Sequence, residues 1–366
     1  MTTRVAAKSD PIRRMDWHLL FSAGLLLLVG LLALYSASGV QEGHRDFQKQ
    51  ILWVVLSVPV FFIFLFVDPR TWCAYGRILH VVNITLLVLV LVIGKSAEGA
   101  QRWLDLGPLQ IQPSEIAKLL LVFTLADFMV RKKQSFKTWR EMTKSLLLVL
   151  PLFVLVYLQP DLGTSLVFLC IWIGMSLVAG QRLLFVGIVV AVGLLLFSIA
   201  WVSGVIEDYQ KKRITALLTG ESSYHGKMAT LSIASGEVVG QGFGKGAIKQ
   251  ARFVPEQTTD FIFTVIAEEG GFIGSVLTIS AFAYFLLRVW GVVASASVPL
   301  FRFIAGGIFT IYSFHILVNL LMVVQVLPIV GVPLPFMSYG GSALMLNIAM
   351  LGLLLNIRSR EKHLIF

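Results

Sequence analysis

The sequence predicts an all-α polytopic integral membrane protein with about ten transmembrane helices, both termini cytoplasmic and one long extracytoplasmic loop between the seventh and eighth spans. Two observations carry this expectation. Hydrophobic residues make up 57% of the 366 and charged residues only 14%, and the mean hydropathy is +0.84, far from the balance of a water-soluble domain. The apolar residues also fall in runs long enough, as helix, to cross roughly 30 Å of hydrocarbon.

The first run, Trp17 to Tyr35, ends in Ser36-Ala37-Ser38, which mimics a signal-peptidase site. Secretory apolar regions span only about 7 to 15 residues, so a retained first helix is expected. Six more runs follow, at Ile51 to Val67, Ile78 to Ile93, Pro113 to Val130, Ser145 to Leu158, Leu162 to Ala179 and Leu183 to Ile206. A polar stretch from Glu207 to Asp260 then interrupts the pattern, and the last spans are Phe261 to Trp290, Phe303 to Val326 and Ala343 to Ile357. No soluble domain, evident repeat or low-complexity segment breaks the chain, which reads as a single membrane domain over 1–366 with short tails at 1–16 and 358–366.

Orientation follows from Lys and Arg, which are enriched in short cytoplasmic segments. Arg4, Lys8, Arg13 and Arg14 crowd the N-terminal tail, and Arg131, Lys132, Lys133, Lys137, Arg140 and Lys144 crowd one loop on the same side. The opposite loops are poor in both residues, except the long one, whose length is near the limit where the rule applies. The long loop therefore faces outward. The net charge of +10 borders helix ends and suits anionic headgroups better than nucleic acid. Cys73 and Cys170 lie in different environments, so no disulfide is expected, and no phosphate loop or zinc pattern occurs.

Chemistry must then come from polar residues at the outer face, where four clusters stand out. Asp260 enters an apolar helix from the long loop, in RFVPEQTTDFIFTVIAEEGG, and an ionisable group at that boundary is a functional candidate. The plain alternative is a helix N-cap. Glu256 precedes it, and Glu268 and Glu269 lie about two turns further in, where at least one needs Lys118, a cation or another donor. In GAQRWLDLGPLQIQPSEIAKL, Glu115 and Lys118 share a helix face three residues apart, either as a structural ion pair or as the lining of a polar cavity. Arg102 beside Trp103 suits a headgroup anchor or a diphosphate ligand. In QPDLGTS, Asp161 meets a positive helix N-terminus as a cap or as a cation ligand. In LPIVGVPLPFMSYGGSAL, prolines and paired glycines interrupt the helix, as an ordinary loop or as backbone lining a cavity, and Ser338 is a candidate for that cavity, though it lacks a nearby His or Lys to make it a nucleophile.

These same segments, with LYSASG after the first span, resemble the signatures of the SEDS family of cell-wall synthases (shape, elongation, division and sporulation) over nearly the whole chain. The LPIVGVPLP form and the short tails look more like the elongation member. The chain departs from the family pattern at Met228-Ala229 and Ile233-Ala234-Ser235-Gly236-Glu237, and in the shortened TGESS before Tyr224. The resemblance implies a peptidoglycan glycosyltransferase of the bacterial cytoplasmic (inner) membrane that polymerises lipid II on the outer face for elongation and rod shape. It implies a class B penicillin-binding protein, a transpeptidase, as partner within the elongation machinery. By that resemblance Asp260 matches the essential acid, and Arg102, Glu115, Lys118 and Asp161 match the polar cavity. Arg213 and other basic residues of the long loop are candidates to meet the anionic lipid. Asp161 and Asp260 are candidate ligands for a divalent cation, Mg or Mn, and no organic cofactor is expected. A lipid flippase and a noncatalytic scaffold for a transpeptidase are the competing readings, since buried charges in ten helices also suit alternating access.

Overall fold

The computed structural model describes residues 15–39, 43–97, 100–107, 109–132, 138–203, 211, 215 and 224–361. Its long helices follow the apolar runs: α1 Trp17–Ser38, α2 Arg45–Phe66, α4 Gly76–Ile93, α5 Pro113–Arg131, α6 Trp139–Tyr157, α7 Leu162–Val178, α8 Leu183–Val202, α11 Ile262–Ser295, α12 Pro299–Val323 and α13 Gly341–Glu361. Short helices α3 (Pro69–Ala74), α9 (Tyr224–Ser235) and α10 (Ala247–Gln250) complete the helical set among the described residues. Helices α1, α2, α4, α11, α12 and α13 are each long and apolar enough to cross a bilayer. Helix α5 carries Glu115 and Lys118, and it is sheltered at the centre of the bundle against α4, α6, α7, α12 and α13. That placement spares its charges from lipid. Helix α8 lies at the opposite extreme, touching the bundle through α7 and exposing most of its length.

One small sheet accompanies the helical fold. Between α4 and α5, strands β1 (Lys95–Ala97), β2 (Ala100–Leu106) and β3 (Leu109–Ile111) form an antiparallel sheet in the order β1-β2-β3. Short strands give a weak sequence signal, and here they meander across one end of the bundle rather than crossing the membrane.

The two ends of the bundle differ in chemistry. At one rim Asp16 caps α1 through the Leu19 N–H and accepts from Arg288 at 2.6 Å, with Arg358 at 3.8 Å. Arg360 reaches Asp68 at 2.9 Å, and Glu361 accepts from the Ser297 and Val298 N–H groups at the start of α12. This rim gathers the start of α1 with the ends of α11 and α13, as one side of an even-numbered bundle requires. Burial is the largest single influence on the Asp16 carboxyl and raises it, but the bond from Arg288, the Leu19 N–H and the charges of Arg288 and Arg358 together outweigh burial and leave the group below its ordinary value. The opposite rim holds the starts of α5, α7 and α11 and the polar clusters.

Helix α11 is not continuous, contrary to the single span expected from Phe261 to Trp290. Gly271 adopts φ 63°, ψ −158°, a conformation that suits glycine, and splits α11 into a mostly buried first part, 262–270, and a continuation to Ser295 with one buried and one exposed face. A break inside a membrane frees backbone groups that need partners. The turn after α9 supplies them: Gln241 and Gly242 N–H groups donate to the Glu268 and Glu269 carbonyls at 3.0 Å, while Phe272 and Ile273 N–H groups donate to Glu237 and Val238 carbonyls at 2.9 and 3.2 Å. The approach is so close that a Cβ on Gly240 would overlap the Glu269 carbonyl. Gly240→Ala is therefore expected to lower stability by about 1–3 kcal/mol, from strain at φ +86° and lost turn bonds. Thermal unfolding in detergent, with proteolysis mapping of residues 236–246, checks this.

The 224–260 portion of the long loop is thus folded onto the bundle. The remaining part of that loop, with candidate Arg213, lies outside the described residues. Both cysteines are free thiols, and burial raises the Cys73 thiol far above its ordinary value, with Asp127 adding to the effect.

Candidate functional site

Helix α12 binds the clusters together. Its His315 and Asn319, four residues apart, share a face in an otherwise apolar helix and are both buried. Lys118 Nζ donates to Glu115 at 2.6 Å and approaches His315 Nε2 at 3.1 Å. The other ring nitrogen, Nδ1, lies 3.1 Å from the Pro333 carbonyl, which can only accept. That contact places the proton on Nδ1, leaving Nε2 as an acceptor for the lysine. One turn along, Asn319 Nδ2 donates to the carbonyls of Asp260 at 2.8 Å and Val332 at 2.7 Å. The Glu115–Lys118 pair, the irregular 327–340 segment and the Asp260 turn are therefore parts of one constellation.

The QPDLGTS segment joins from α7. Gly163 lets the 330–332 backbone pass close by, since a Cβ there would stand 2.5 Å from the Val330 carbonyl. Asp161 caps α7 through the Thr164 N–H at 3.0 Å, and its second oxygen accepts from Gln112 at 3.4 Å. Gln112, just before α5, also donates its N–H to Ser342 Oγ at the start of α13, 2.9 Å away. Arg102 on β2 donates Nε to the Gln159 carbonyl at 2.9 Å and Nη2 to the Pro160 carbonyl. One edge of its guanidinium thus clamps the α6–α7 turn, and Nη1 takes no acceptor among the described residues.

Asp260 occupies the turn before α11, and the helix is entered at Phe261 with no side-chain cap. Gly331, at φ +68°, lies against the carboxylate: a Cβ there would stand 3.2 Å from Asp260 Oδ2. The preceding QTT residues are fixed from three directions. Gln257 donates to the Ala37 carbonyl at 3.2 Å, Thr258 donates to Asp46 at 3.2 Å, and the Tyr339 N–H donates to the Thr258 carbonyl at 2.8 Å. Burial, then the Asp46 carboxylate, raise the Tyr339 phenol above its ordinary value, which keeps it neutral. Glu256 accepts from Thr259 Oγ1 at 3.0 Å and shapes this turn at φ 53°. Ser338 is used locally, its Oγ accepting the Leu334 N–H at 2.8 Å and its carbonyl accepting from Gln50 at 3.2 Å.

Glu268 and Glu269 find partners other than Lys118. The Glu268 carboxylate, wholly buried, accepts from Ile248 N–H at 2.8 Å, Lys249 N–H at 3.1 Å and Ser232 Oγ at 3.0 Å. Glu269 pairs with Lys249, whose Nζ also donates to Ser36 Oγ at 2.6 Å. These two acids fasten the folded part of the loop to α1 and to the break in α11. Lys249, His315, Asn319 and Gln112 were not singled out in the sequence. For His315 and Asn319 the available signal was a polar pair at i, i+4 inside an apolar span.

A divalent cation was expected as a candidate cofactor. Among the described residues no three His, Cys, Asp or Glu side chains come together to hold one. Asp161 spends one oxygen on its cap and the other on Gln112. This donor set does not fit a cage of protein ligands for a resident cation.

A family model for FtsW, RodA and SpoVE, described as "Cell cycle protein", matches residues 15–363. The chain belongs to this family. Peptidoglycan glycosyltransferase MrdB of Escherichia coli (strain K12) is 33% identical over 344 residues, covering 93% of this chain and 92% of that protein. Stage V sporulation protein E of Bacillus subtilis (strain 168) is also 33% identical, covering 99% of this chain and 100% of its own length. Among solved structures, the rod shape determining protein RodA of Thermus thermophilus superposes with TM-score 0.70 at 30% identity, covering 94% of this chain and 96% of that one. A chain described under "Structural coordination of polymerization and crosslinking by a peptidoglycan synthase complex" superposes with TM-score 0.81 at 30% identity, covering 95% and 98%. The family resemblance read from the motifs and the polytopic helical fold both stand.

Proposed function

We infer that this chain is a peptidoglycan glycosyltransferase that polymerises lipid II on the outer face of the bacterial cytoplasmic membrane, in the service of elongation and rod shape. The observation that carries the reading is that three of the four outer clusters meet on the His315–Asn319 face of α12, with the QPDLGTS segment packed against the 330–332 backbone and Asp260 beside Gly331. The names of relatives such as peptidoglycan glycosyltransferase MrdB support the same chemistry.

In this reaction the 4-hydroxyl of an acceptor sugar attacks the anomeric carbon of a lipid-linked donor. A new carbon–oxygen bond forms as the bond to the undecaprenyl diphosphate breaks, and the leaving group takes the electron pair. Asp260 accepts the hydroxyl proton as an oxocarbenium-like centre develops, as the base does in inverting glycosidases. An α-linked donor then gives a β-linked product without a glycosyl-enzyme intermediate. Arg102, with Nη1 not bonded to any described residue, is the residue best placed to meet charge on the departing diphosphate. Lys118 is already neutralised by Glu115 and turned to His315, so its role is to hold the scaffold beneath the site.

Purified protein in a bilayer, given fluorescent lipid II, separates the competing readings. Glycan chains are the expected product, movement without chains would make the protein a flippase, and neither would leave it a scaffold. The partner of this reading is a class B penicillin-binding protein, which would cross-link the strands made here. Gly306 and Gly307 on α12 pack within the chain, against Val178 and against Val122 and Met175, and so offer that partner no close approach. The exposed stripe of α11 through Phe272, Ile273, Leu277 and Leu287 remains as the apolar face for it. Co-purification and a faster polymerase rate with the partner in the same bilayer are expected; a rate indifferent to a partner that never co-purifies would overturn the pairing.

A further inference from the structure

We propose that Asn319 is the positioning residue of this site: its side-chain amide fixes the Asp260 peptide against the 330–333 backbone and so aims the carboxylate at the acceptor hydroxyl. The proposal rests on the reading of Asp260 as the base.

The geometry is specific about how the amide is used. Asn319 is wholly buried, and Nδ2 lies 2.8 Å from the Asp260 carbonyl and 2.7 Å from the Val332 carbonyl. Both are acceptors, so the nitrogen must face them, and each of its two N–H bonds has one target. The amide orientation turns Oδ1 away from both carbonyls, while Nδ2 bridges two segments that are distant in sequence. Leucine of similar size would fill the same space but could make neither bond.

The two carbonyls belong to the two segments whose relative placement sets the carboxylate. Asp260 Oδ2 has Gly331 directly beside it, with no side chain to hold the carboxylate off the backbone. Asn319 fastens the residue after Gly331 and Asp260 itself to a single atom of α12. His315 repeats the arrangement one turn away, holding the Pro333 carbonyl. Without Asn319 the Asp260 turn stays tethered by Gln257, Thr258 and Tyr339, yet loses its register with residues 331–333. A misplacement of about 1 Å in a reacting group can cost ~10²-fold in rate.

The test compares Asn319→Leu, Asn319→Gln and Asp260→Asn in one bilayer assay with lipid II, recording kcat, KM and the pH profile. Asn319→Leu is expected to lower kcat by about 10²-fold with KM changed less than about threefold, and to shift the acid limb of the kcat/KM profile. Asn319→Gln keeps the amide on a longer arm and is expected to recover part of kcat. Near-wild-type kcat in Asn319→Leu, with Asp260→Asn inactive, overturns the positioning role alone. Loss of folded protein in Asn319→Leu moves the decision to Asn319→Gln, where a kcat and a pH profile equal to wild type would overturn the proposal. Full activity in Asp260→Asn would instead remove the base on which the proposal rests.

Discussion

Asp260→Asn is expected to reduce glycan synthesis by about 10²–10⁴-fold, the range typical of a lost general base, while the protein remains folded and inserted. The amide preserves the shape of the side chain but cannot take the acceptor's proton. Structural damage should be small, because the backbone of this turn is held by groups outside the substituted carboxylate. Asn319 takes the Asp260 carbonyl, Glu256 takes the Phe261 N–H at 3.2 Å, and α11 begins without a side-chain cap to lose. The acid limb of the pH–rate profile should disappear with the carboxylate. Gel analysis of chains made from fluorescent lipid II, beside thermal unfolding of the same preparation, reads both halves of the expectation. Near-normal chain synthesis by a folded Asp260→Asn protein would sink the base assignment.

The distance between what the sequence disclosed and what it withheld has a physical pattern. Spans were legible because a helix crossing hydrocarbon needs a long apolar run whether it faces lipid or other helices, and α1, α4, α5 and α7 follow their runs closely. The polar clusters were legible because charge beside a membrane needs a reason, and Glu115–Lys118 is the pair their three-residue spacing implied. What stayed hidden depends on tertiary contact. The break at Gly271 is possible only because the 237–242 turn satisfies the freed backbone, and no local window around Glu269-Gly270-Gly271 contains that turn. Likewise the partner of Glu269 lies twenty residues earlier, in a loop whose glycines read as flexibility, and Ser36 completes the group from α1. His315 and Asn319 were overlooked for a different reason: one His and one Asn scarcely alter the hydropathy of a 25-residue span, although they decide what its buried face can hold. Gly306 and Gly307 did mark close helix approach, but to α7 and α5 within the chain.

Lys118→Met should separate structure from catalysis at the other end of the same constellation. Lys118 is fully buried in α5 and its Nζ holds Glu115 at 2.6 Å. Removing the lysine relieves the insertion cost of a charge in a span, about 2.5–3.5 kcal/mol at a helix centre. It also strands a buried carboxylate, and breaking one side of a buried pair typically costs about 3–5 kcal/mol. The second effect acts on the folded state and the first on insertion, so membrane levels should change little while the folded protein loses stability and activity. His315 Nε2 loses its donor at the same time, and His315 holds the Pro333 carbonyl beside the Asp260 segment. The damage should therefore reach the site although Lys118 touches no substrate in the proposed reaction. Glu115→Gln added to Lys118→Met removes the stranded charge, and most of the lost thermal stability should return, since an ion pair replaced at both ends is often close to neutral. Activity should return less than stability does, because the donor to His315 is still missing. A double variant that regains stability and activity together would make the pair purely structural, and unchanged turnover in Lys118→Met alone would detach α5 from the chemistry altogether.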